Sequence, residues 1–409
     1  MFDFRYFFRG AAKTTIGNEI GMIACSPKAD IPPTPRVENL PGPEPHTRRI
    51  RVAELAVTLM IGGSEQLAAS IGRGLNPASF DVVFGAIADD GPIGDSLRQE
   101  GRVARAFHRR PGFDYRVPWQ AWRFLREHGV DVAQTHHVAA LIYGGVAARL
   151  AGARLIHTEH EINTFRQFPN QIRWLRRLAF LVDRFVAIDP SIADFLESEG
   201  GIDRRRIRVI RNGVDLRRFH PPQVNAIEAR DGSYRVGWIA RLDPPKRPDL
   251  LVAAVQRLRR PELRVRIIGP GKLTDAVRRQ IADAGLQETV ELVGPRTDIA
   301  DQLQGLDCYV LCSEAEGLPI SLVEAMATGL PCVASSVGGI PSLIEHGKNG
   351  LLLGTQDPDE LASLLERLID ARAWGASLGT NGRRTALERF DFQQTIAQYE
   401  ELFREVTRP

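Results

Sequence analysis

Residues 51–75, RVAELAVTLMIGGSEQLAASIGRGL, contain the pattern that decides the fold. The apolar run RVAELAVTL predicts a buried strand, MIGG predicts a loop, and SEQLAASIGRGL predicts an amphipathic helix. The helical run repeats its apolar residues at the spacing of one helical face, at Leu67, Ala68, Ile71 and Leu75. A buried strand followed directly by such a helix is the repeating unit of a parallel α/β sheet.

The same alternation continues through both halves of the chain. Further strands are predicted at FDVVFGAIA, DVAQTH, ARLIHT, RFVAI and RIRVI, and then at YRVGWIA, RVRIIG, TVELVG, DCYVLC, PCVAS and GLLL. Two such series predict an α/β protein with two Rossmann-like, doubly wound domains that face each other across a cleft. Ligands of open α/β sheets bind beyond the carboxyl ends of the strands, which places the expected site in that cleft.

Changes in composition give the domain boundaries. Residues 1–49 end in the proline-rich stretch IPPTPRVENLPGPEP and predict an N-terminal extension and linker. The first Rossmann-like domain is predicted at 50–218 and the second at 219–385. Residues 386–409 predict a C-terminal helix for which packing back across onto the first domain is one interpretation.

Composition and charge exclude several classes of protein. Hydrophobic residues make up 43% of the 409 residues and the formal net charge is +3, so no global field favours nucleic acid. The four cysteines form no CxxC pair, which favours buried free thiols in a reducing compartment. No apolar stretch approaches the roughly 20 residues that span a bilayer, and the N-terminus lacks a signal-like apolar core. These features predict a cytoplasmic location.

Two carboxylates lie eight residues apart in the run SEAEGLPISLVEAMATG. Glu316 is predicted in a loop before a helix that begins near Pro319 and ends before Gly329, and Glu324 lies inside that helix. Glu324 is flanked by apolar residues, where an unpaired carboxylate is costly, so a simple solvated helix position is disfavoured. The backbone N–H groups of Gly317, Leu318 and Ile320 are predicted to face phosphates at the helix N-terminus.

Two cations follow the predicted strand YRVGWIA. Arg241 offers a planar fork and Lys246 a compact charge, and they lie on either side of the rigid sequence LDPP. Either residue alone is most often a surface charge. Together they can neutralise a departing diphosphate without a metal ion. With the two carboxylates, they predict a site that holds a sugar and its diphosphate.

These stretches resemble the family-4 glycosyltransferases of GT-B architecture (glycosyl transferases group 1). The resemblance covers residues 51 to about 400 and is carried by GGSE at 62–65, RLDPPK at 241–246, EGLPISLVEAMATGLP at 316–331 and SSVGGIPSLIEHGKNGLLL at 335–353. IRNGVDLRRF at 210–219 is similar to the domain junction of that family. The resemblance implies an acceptor-side first domain and a nucleotide-sugar-binding second domain.

The resemblance also implies roles for individual residues. Glu324 binds the ribose, Glu316 lies at the sugar, and Arg241 with Lys246 grips the diphosphate. The resemblance implies that the loop with Gly62 and Gly63 approaches the donor phosphate. It also implies that the segment 294–297, with Arg296 and Thr297, binds the base, and that His160 lies near the sugar and acceptor. A structural position in the core is the alternative for His160. The sequence departs from the family at Asp189, where serine is usual, and Asp189 is expected to lie away from the donor site.

Several patterns have simpler explanations. The sequence DPD at 357–359 matches a metal-binding DxD motif, but Asp357 and Pro358 precede a helical run and predict a helix cap. His157 and His160 lack a third zinc ligand. The basic and aromatic run NQIRWLRRLAFLVDRF favours an ordinary covering helix over peripheral contact with an anionic membrane.

The expected function is a retaining, metal-independent transfer of a hexose-type sugar from a nucleotide-sugar to a glycan or lipid-linked acceptor. Bacterial cell-surface polysaccharide synthesis at the inner face of the membrane is the implied setting. The nucleotide-sugar, UDP- or GDP-linked, is a co-substrate, and no separate cofactor and no nucleic-acid partner are expected. The resemblance also implies same-face attack, with the departing phosphate taking the acceptor proton. A GT-B epimerase or phosphorylase, and a non-catalytic nucleotide-sugar-binding protein, are the alternatives.

Overall fold

A computed structural model describes residues 48–60, 62–222, 232–296 and 298–408. Most of the predicted extension at 1–49, and the predicted site residue Thr297, lie outside the described residues. Within them the chain forms two parallel sheets, each covered by helices, as the alternating pattern predicts.

The first sheet has seven strands in the order β3-β2-β1-β4-β5-β6-β7. Its strands are β1 Ile50–Ala56, β2 Phe80–Ala86, β3 Ala104–Ala106, β4 Val132–His136, β5 Arg154–Glu159, β6 Arg184–Ala187 and β7 Ile207–Val209. Its helices are α1 Gly63–Gly74, α2 Pro92–Gln99, α3 Arg116–Glu127, α4 His137–Ala140, α5 Val146–Ala151, α6 Asn163–Gln167, α7 Asn170–Leu178 and α8 Pro190–Ser198. A π-helical segment, Leu141–Gly145, joins α4 to α5. Six of the seven strands were predicted; β3 is a three-residue edge strand with too few residues for a periodic signal.

The second sheet has six strands in the order β10-β9-β8-β11-β12-β13. Its strands are β8 Tyr234–Ile239, β9 Leu263–Ile268, β10 Val290–Gly294, β11 Cys308–Leu311, β12 Cys332–Ser335 and β13 Leu351–Leu353. Its helices are α9 Pro248–Leu258, α10 Thr274–Asp283, α11 Ile299–Gln304, α12 Ile320–Ala327, α13 Pro358–Asp370 and α14 Arg372–Arg389. The strands are nearly continuous apolar runs because helices bury both faces of a parallel sheet.

The last helix, α15 Phe392–Thr407, belongs to the first domain by packing. Its buried residues join the core of the first sheet: Ile396, Tyr399, Leu402, Phe403 and Val406. The chain leaves the second domain at Phe390, and Asp391 caps α15 by accepting from the backbone N–H of Gln393. An isolated parallel β-bridge between Val214 and Asp391 connects the start of α15 to the interdomain segment that follows β7.

In both sheets the strand order reverses next to the first strand, between β1 and β4 and between β8 and β11. Loops at the carboxyl ends of the two sheets meet at Gly317, where an added Cβ would lie 3.6 Å from the backbone oxygen of His160. The cleft predicted from the sequence is therefore present, with the 316–317 loop against the first domain.

Candidate functional site

Lys246 and Glu316 form the centre of the site on the second domain. Lys246 ends a short 3₁₀ turn after β8, and Glu316 lies in the loop after β11, so neighbouring strands present both. The Lys246 ammonium donates to both Glu316 carboxylate oxygens, at 2.6 and 2.7 Å. The Ser313 hydroxyl donates to the same carboxylate at 2.6 Å. Glu316 retains only 7% side-chain exposure, and a carboxylate this buried requires such partners.

A glycine turn after β12 holds the Glu316 loop in place. Gly338 has φ +54°, and an added Cβ would lie 1.8 Å from the backbone oxygen of Glu316. The backbone N–H of Gly339 donates to the oxygen of Gly317 at 3.0 Å. Only glycine allows this close approach of the two loops.

Helix α12 begins and ends as predicted. Pro319 is the N-cap residue of Ile320–Ala327, and Gly329 adopts a left-handed conformation, with φ +82°, just after the helix ends. The backbone N–H groups of Gly317, Leu318 and Ile320 donate to no group among the described residues. Unsatisfied N–H groups at a helix start favour anions.

Glu324 opens into an interdomain cavity of about 480 Å³. Gly63 at the start of α1 lies on the opposite wall, and Arg218 from the interdomain connection is also part of the lining. Glu324 is half-buried, and burial raises the pKa of its carboxyl to about 7 against the opposing charge of Arg218. No described residue hydrogen-bonds to this carboxylate, so no hydrogen bond offsets the effect of burial on its pKa.

Arg241 and Arg296 occupy more exposed positions than the carboxylates. Arg241 pairs with Asp243 at 3.2 Å and keeps 69% side-chain exposure, within the same turn as Lys246. Arg296 pairs with Asp298 at 2.6 Å. Neither guanidinium lines the cavity at Glu324 or the one at Glu316. Gly62 is the N-cap residue of α1. The donor roles assigned to these residues remain predictions.

A second interdomain cavity, of about 260 Å³, lies at Glu316. Its second-domain wall is the pair of loops at 316–317 and 338–339. Its first-domain wall includes Glu161, Arg166 and Asp189. The expectation that Asp189 lies away from the donor site is therefore wrong, because Asp189 caps α8 at the strand end that faces Glu316. Sequence position alone does not show which strand ends meet across a cleft.

His160 belongs to a buried cluster behind the cleft. Its Nε2 lies 3.0 Å from Nδ1 of His136, whose Nε2 lies 2.7 Å from Oε2 of Glu54. Beside it, Glu159 lies 3.3 Å from His137 and 3.4 Å from His157. Hydrogen bonds from these two histidines outweigh burial and lower the pKa of Glu159 to about 2.

The sequence analysis did not identify most of this cluster. Two signals were available in the sequence: Glu54 is the one charged residue inside the apolar run VAELAV, and two consecutive histidines, His136 and His137, lie where β4 ends. His137 has φ +66°, a conformation that is costly for a residue with a Cβ and that concentrates at functional sites.

The metal-like motif and the cysteines have the structural roles predicted for them. The Asp357 carboxylate accepts from the backbone N–H of Asp359 at 2.9 Å and caps α13, with Pro358 as the first helical residue. Asp359 pairs with Arg257. Three of the four cysteines are buried free thiols, Cys308, Cys312 and Cys332, and Cys25 lies outside the described residues. In the described ranges, no group of three or more histidine, cysteine or acidic residues could hold a metal ion.

Comparison with known protein families agrees with this architecture. The family model described as Glycosyltransferase Family 4 matches residues 61–218, and the model described as Glycosyl transferases group 1 matches residues 233–371. The two matches fall on the first and second domains respectively.

Comparison with individual proteins extends the similarity to most of the chain. The chain is 26% identical over 377 residues to the UDP-Gal:alpha-D-GlcNAc-diphosphoundecaprenol alpha-1,3-galactosyltransferase of Escherichia coli, covering 87% of this chain and 97% of that protein. It is 30% identical over 308 residues to the D-inositol 3-phosphate glycosyltransferase of Paenarthrobacter aurescens strain TC1, covering 69% of this chain and 75% of that protein.

Among solved structures, HepE of Anabaena in complex with UDP superposes with a TM-score of 0.77 and 23% identity, covering 87% of this chain and all of that chain. At this identity the superposition establishes the fold. With the matches to both domains and the 30% identical relative, it leads to one conclusion: the chain belongs to the family-4 glycosyltransferases and has their GT-B architecture.

Proposed function

We propose that this glycosyltransferase moves a hexose-type sugar from a nucleotide-sugar to a glycan or lipid-linked acceptor, with retention and without a metal ion. The observation that carries the proposal is the pairing of Lys246 with Glu316, a residue that lines an interdomain cavity and precedes the start of α12. The Glu316 carboxylate can accept hydrogen bonds from sugar hydroxyls. The Lys246 ammonium and the N-terminus of α12 can both bind a diphosphate. Glu324, farther along α12, is positioned to accept from ribose hydroxyls.

UDP is the nucleotide best supported by the comparisons. The Escherichia coli relative is named for UDP-Gal, and HepE of Anabaena was solved with UDP-glucose. The same relative is named for a diphosphoundecaprenol-linked acceptor, whereas the 30% identical relative is named for inositol phosphate. The cavity at Glu316 has three carboxylates, Glu161, Asp189 and Glu316, and one guanidinium, Arg166. That balance favours hydroxyl groups over a phosphate at the acceptor position.

In this mechanism the residues of the second domain stabilise the leaving group. As the bond between the anomeric carbon and the phosphate oxygen breaks, negative charge grows on the diphosphate. Lys246, Arg241 and the α12 N–H groups offset that charge. The acceptor hydroxyl attacks from the same face, which gives retention. Metal independence is supported by these cations and by the structural use of Asp357 and Asp359.

Thermal-shift measurements with a panel of nucleotide-sugars test the proposal, because a ligand that binds the native state raises its melting temperature. We expect UDP-sugars to stabilise the protein, and we expect both the shift and sugar transfer to persist in EDTA. A strict requirement for a divalent ion would contradict metal independence. Absence of any shift across the panel would contradict nucleotide-sugar binding. Release of sugar phosphate when inorganic phosphate is supplied would instead indicate a phosphorylase.

We further propose that the first domain rests on an anionic membrane surface that presents a lipid-linked acceptor. Most of the large exposed apolar side chains in the described residues lie on or next to α3, the helical run 137–151 and α7, which pack together. They are Phe113, Tyr115, Trp119, Val146, Leu150, Phe168 and Phe180. Exposed arginines lie between them: Arg123, Arg126, Arg173, Arg176 and Arg177. Aromatic residues beside arginines match an anionic lipid headgroup layer. No helix among the described residues is long and apolar enough to cross a membrane.

Vesicle flotation tests this surface directly. We expect the protein to float with phosphatidylglycerol vesicles and not with neutral phosphatidylcholine vesicles, and high salt should release it. Replacing Trp119 and Phe180 with serine should reduce the floated fraction several-fold. Leu387→Ser, at an exposed apolar residue of the second domain, is the matched control and should float normally. Equal flotation of the Trp119 and Phe180 variant and wild type would assign membrane contact to another surface.

A further inference from the structure

Asp189 caps helix α8 with one carboxylate oxygen and leaves the other without a partner. Its Oδ1 accepts from the backbone N–H of Ser191 at 2.8 Å, as an N-cap residue does. Its Oδ2 is neither bonded to a described residue nor sealed from solvent. Only 8% of Asp189 is exposed, and the residue lines the interdomain cavity at Glu316. The free oxygen is therefore available to a ligand in that cavity.

A second aspartate cap shows why the burial of Asp189 matters. Asp357 caps α13 in the same way, but it is exposed, so bulk water can satisfy its second oxygen. For the nearly buried Asp189, a carboxylate oxygen without a hydrogen-bond donor is costly. Serine, the usual residue at this position in the family, would cap the helix comparably well without that cost. The helix cap alone therefore does not account for the second oxygen of Asp189.

The charges around this cavity favour a neutral ligand that carries hydroxyl groups. The Glu316 carboxylate is paired with Lys246, which leaves three other charged side chains in the described lining, Glu161, Asp189 and Arg166. Two carboxylates against one guanidinium give a net negative wall, which repels a phosphate or a carboxylate. A sugar hydroxyl is neutral and can donate to the free oxygen of Asp189.

We propose that Asp189 Oδ2 accepts a hydrogen bond from a hydroxyl of the acceptor sugar and thereby selects an acceptor whose reacting sugar is neutral. This inference rests on the proposed function. The donor is held by the second domain, through Lys246, Glu316 and the start of α12, and its diphosphate is repelled by the first-domain carboxylates. The first-domain wall is left for the acceptor. The reacting hydroxyl keeps its proton for the departing phosphate, and Asp189 accepts from a neighbouring hydroxyl, which orients the acceptor.

Asp189→Ser tests this role, because serine keeps the helix cap and removes the free carboxylate oxygen. The probes are the methyl α-glycosides of glucose, galactose and N-acetylglucosamine, added to the protein saturated with UDP. Saturation-transfer NMR measures their dissociation constants. We expect at least one probe to bind wild type, and we expect its dissociation constant to rise about 10- to 100-fold in Asp189→Ser, the loss typical of a hydrogen bond to a charged group. UDP affinity and melting temperature should stay near the wild-type values.

A charged probe tests the selection for a neutral sugar. Methyl α-glucuronide carries a carboxylate that Asp189 repels, so wild type should bind it more weakly than the neutral probe that binds. Asp189→Ser should narrow that difference several-fold, because one negative charge leaves the cavity wall. Asp357→Ser, which makes the same exchange at an exposed helix cap, is the matched control and should bind every probe as wild type does.

Equal affinity of Asp189→Ser and wild type for the neutral probe would overturn the proposal. Weaker UDP binding in the variant would place Asp189 at the donor, and failure of wild type to bind any neutral probe would contradict a hydroxyl site; either result also overturns it. If the serine variant does not fold, Asp189→Asn, which keeps the cap and the side-chain shape, should weaken binding in the same direction. The thermal shift of wild type with UDP-sugars tests the proposed function separately, since donor binding does not require Asp189.

Discussion

Replacing Lys246 with alanine is expected to reduce sugar transfer by about 100- to 1,000-fold, the loss typical of removing one group that stabilises transition-state charge. Lys246 is the half-buried cation of the pair, whereas Arg241 is largely exposed and already bound to Asp243. The charge on the departing diphosphate is therefore expected to depend on Lys246 more than on Arg241. Initial rates with saturating acceptor and varied UDP-sugar measure the effect.

The same substitution has a structural cost that must be separated from catalysis. Without Lys246, the nearly buried Glu316 carboxylate keeps only the hydroxyl of Ser313 as a described hydrogen-bond donor. Leaving such a group under-satisfied costs about 1–3 kcal/mol. We therefore expect a lower melting temperature with a folded circular-dichroism spectrum. A variant that is folded at the assay temperature and turns over donor at the wild-type rate would remove Lys246 from the mechanism.

Lys348→Ala is the matched control for this prediction. Lys348 also pairs with a glutamate, Glu345, three residues away, but the pair lies on the surface with side chains 70% and 66% exposed. Exposed pairs contribute at most about 1 kcal/mol. The control should change neither the transfer rate nor the melting temperature appreciably. If only Lys246→Ala loses activity, the loss is due to the position of Lys246 in the site and not to the removal of one positive charge.

The features that could be predicted from the sequence depend on local patterns. Apolar periodicity located twelve of the thirteen strands, and proline and glycine marked both ends of α12. Glu316 and Glu324 could also be identified from local sequence. They are eight residues apart, one in a loop and one in the helix that follows, so the helical rise alone sets the distance between them. The N-cap role of Asp357 followed from its neighbours for the same reason.

The features that could not be predicted depend on which distant strands become neighbours. The Glu54–His136 bond requires β1 to pair with β4, and His136–His160 requires β4 to pair with β5. Asp189 was misplaced because its contact with the Glu316 cavity depends on how two domains face each other. The pairing of Lys246 with Glu316 also depends on β8 lying beside β11.

Glu324→Gln is expected to weaken donor binding and to stabilise the free protein at alkaline pH. Burial raises the pKa of Glu324 to about 7, well above the value of about 4.3 for an unfolded glutamate. Because the folded state favours the protonated form, its stability is full below the unfolded pKa and is lost as pH rises through about 7. Glutamine is never ionised, so the variant avoids this loss. Allowing for partial exposure, we expect it to be about 2 kcal/mol more stable at pH 8 and equal to wild type below about pH 4.

Donor binding should change in the opposite direction. An ionised Glu324 accepts hydrogen bonds from both ribose hydroxyls, and bonds to a charged group are worth about 1.5–3 kcal/mol, so we expect the KM for UDP-sugar to rise at least tenfold in Glu324→Gln. In wild type that KM should also rise as pH falls below about 7, and the variant should lack this dependence. Urea unfolding at pH 5 and pH 8, with donor titrations at the same values, measures both effects.

Glu366→Gln provides the comparison for both measurements, because Glu366 lies on α13 with an exposed side chain and should affect neither stability nor donor binding. A Glu324 variant with higher stability and unchanged donor affinity would make this carboxylate an unfavourable buried charge with no ligand role. If the Glu324 variant is more stable but binds donor more weakly, the carboxylate is retained for binding and not for stability. This outcome is expected because, in the cavity at Glu324, no described residue hydrogen-bonds to the carboxylate, and a bound ligand would supply the missing hydroxyl donors.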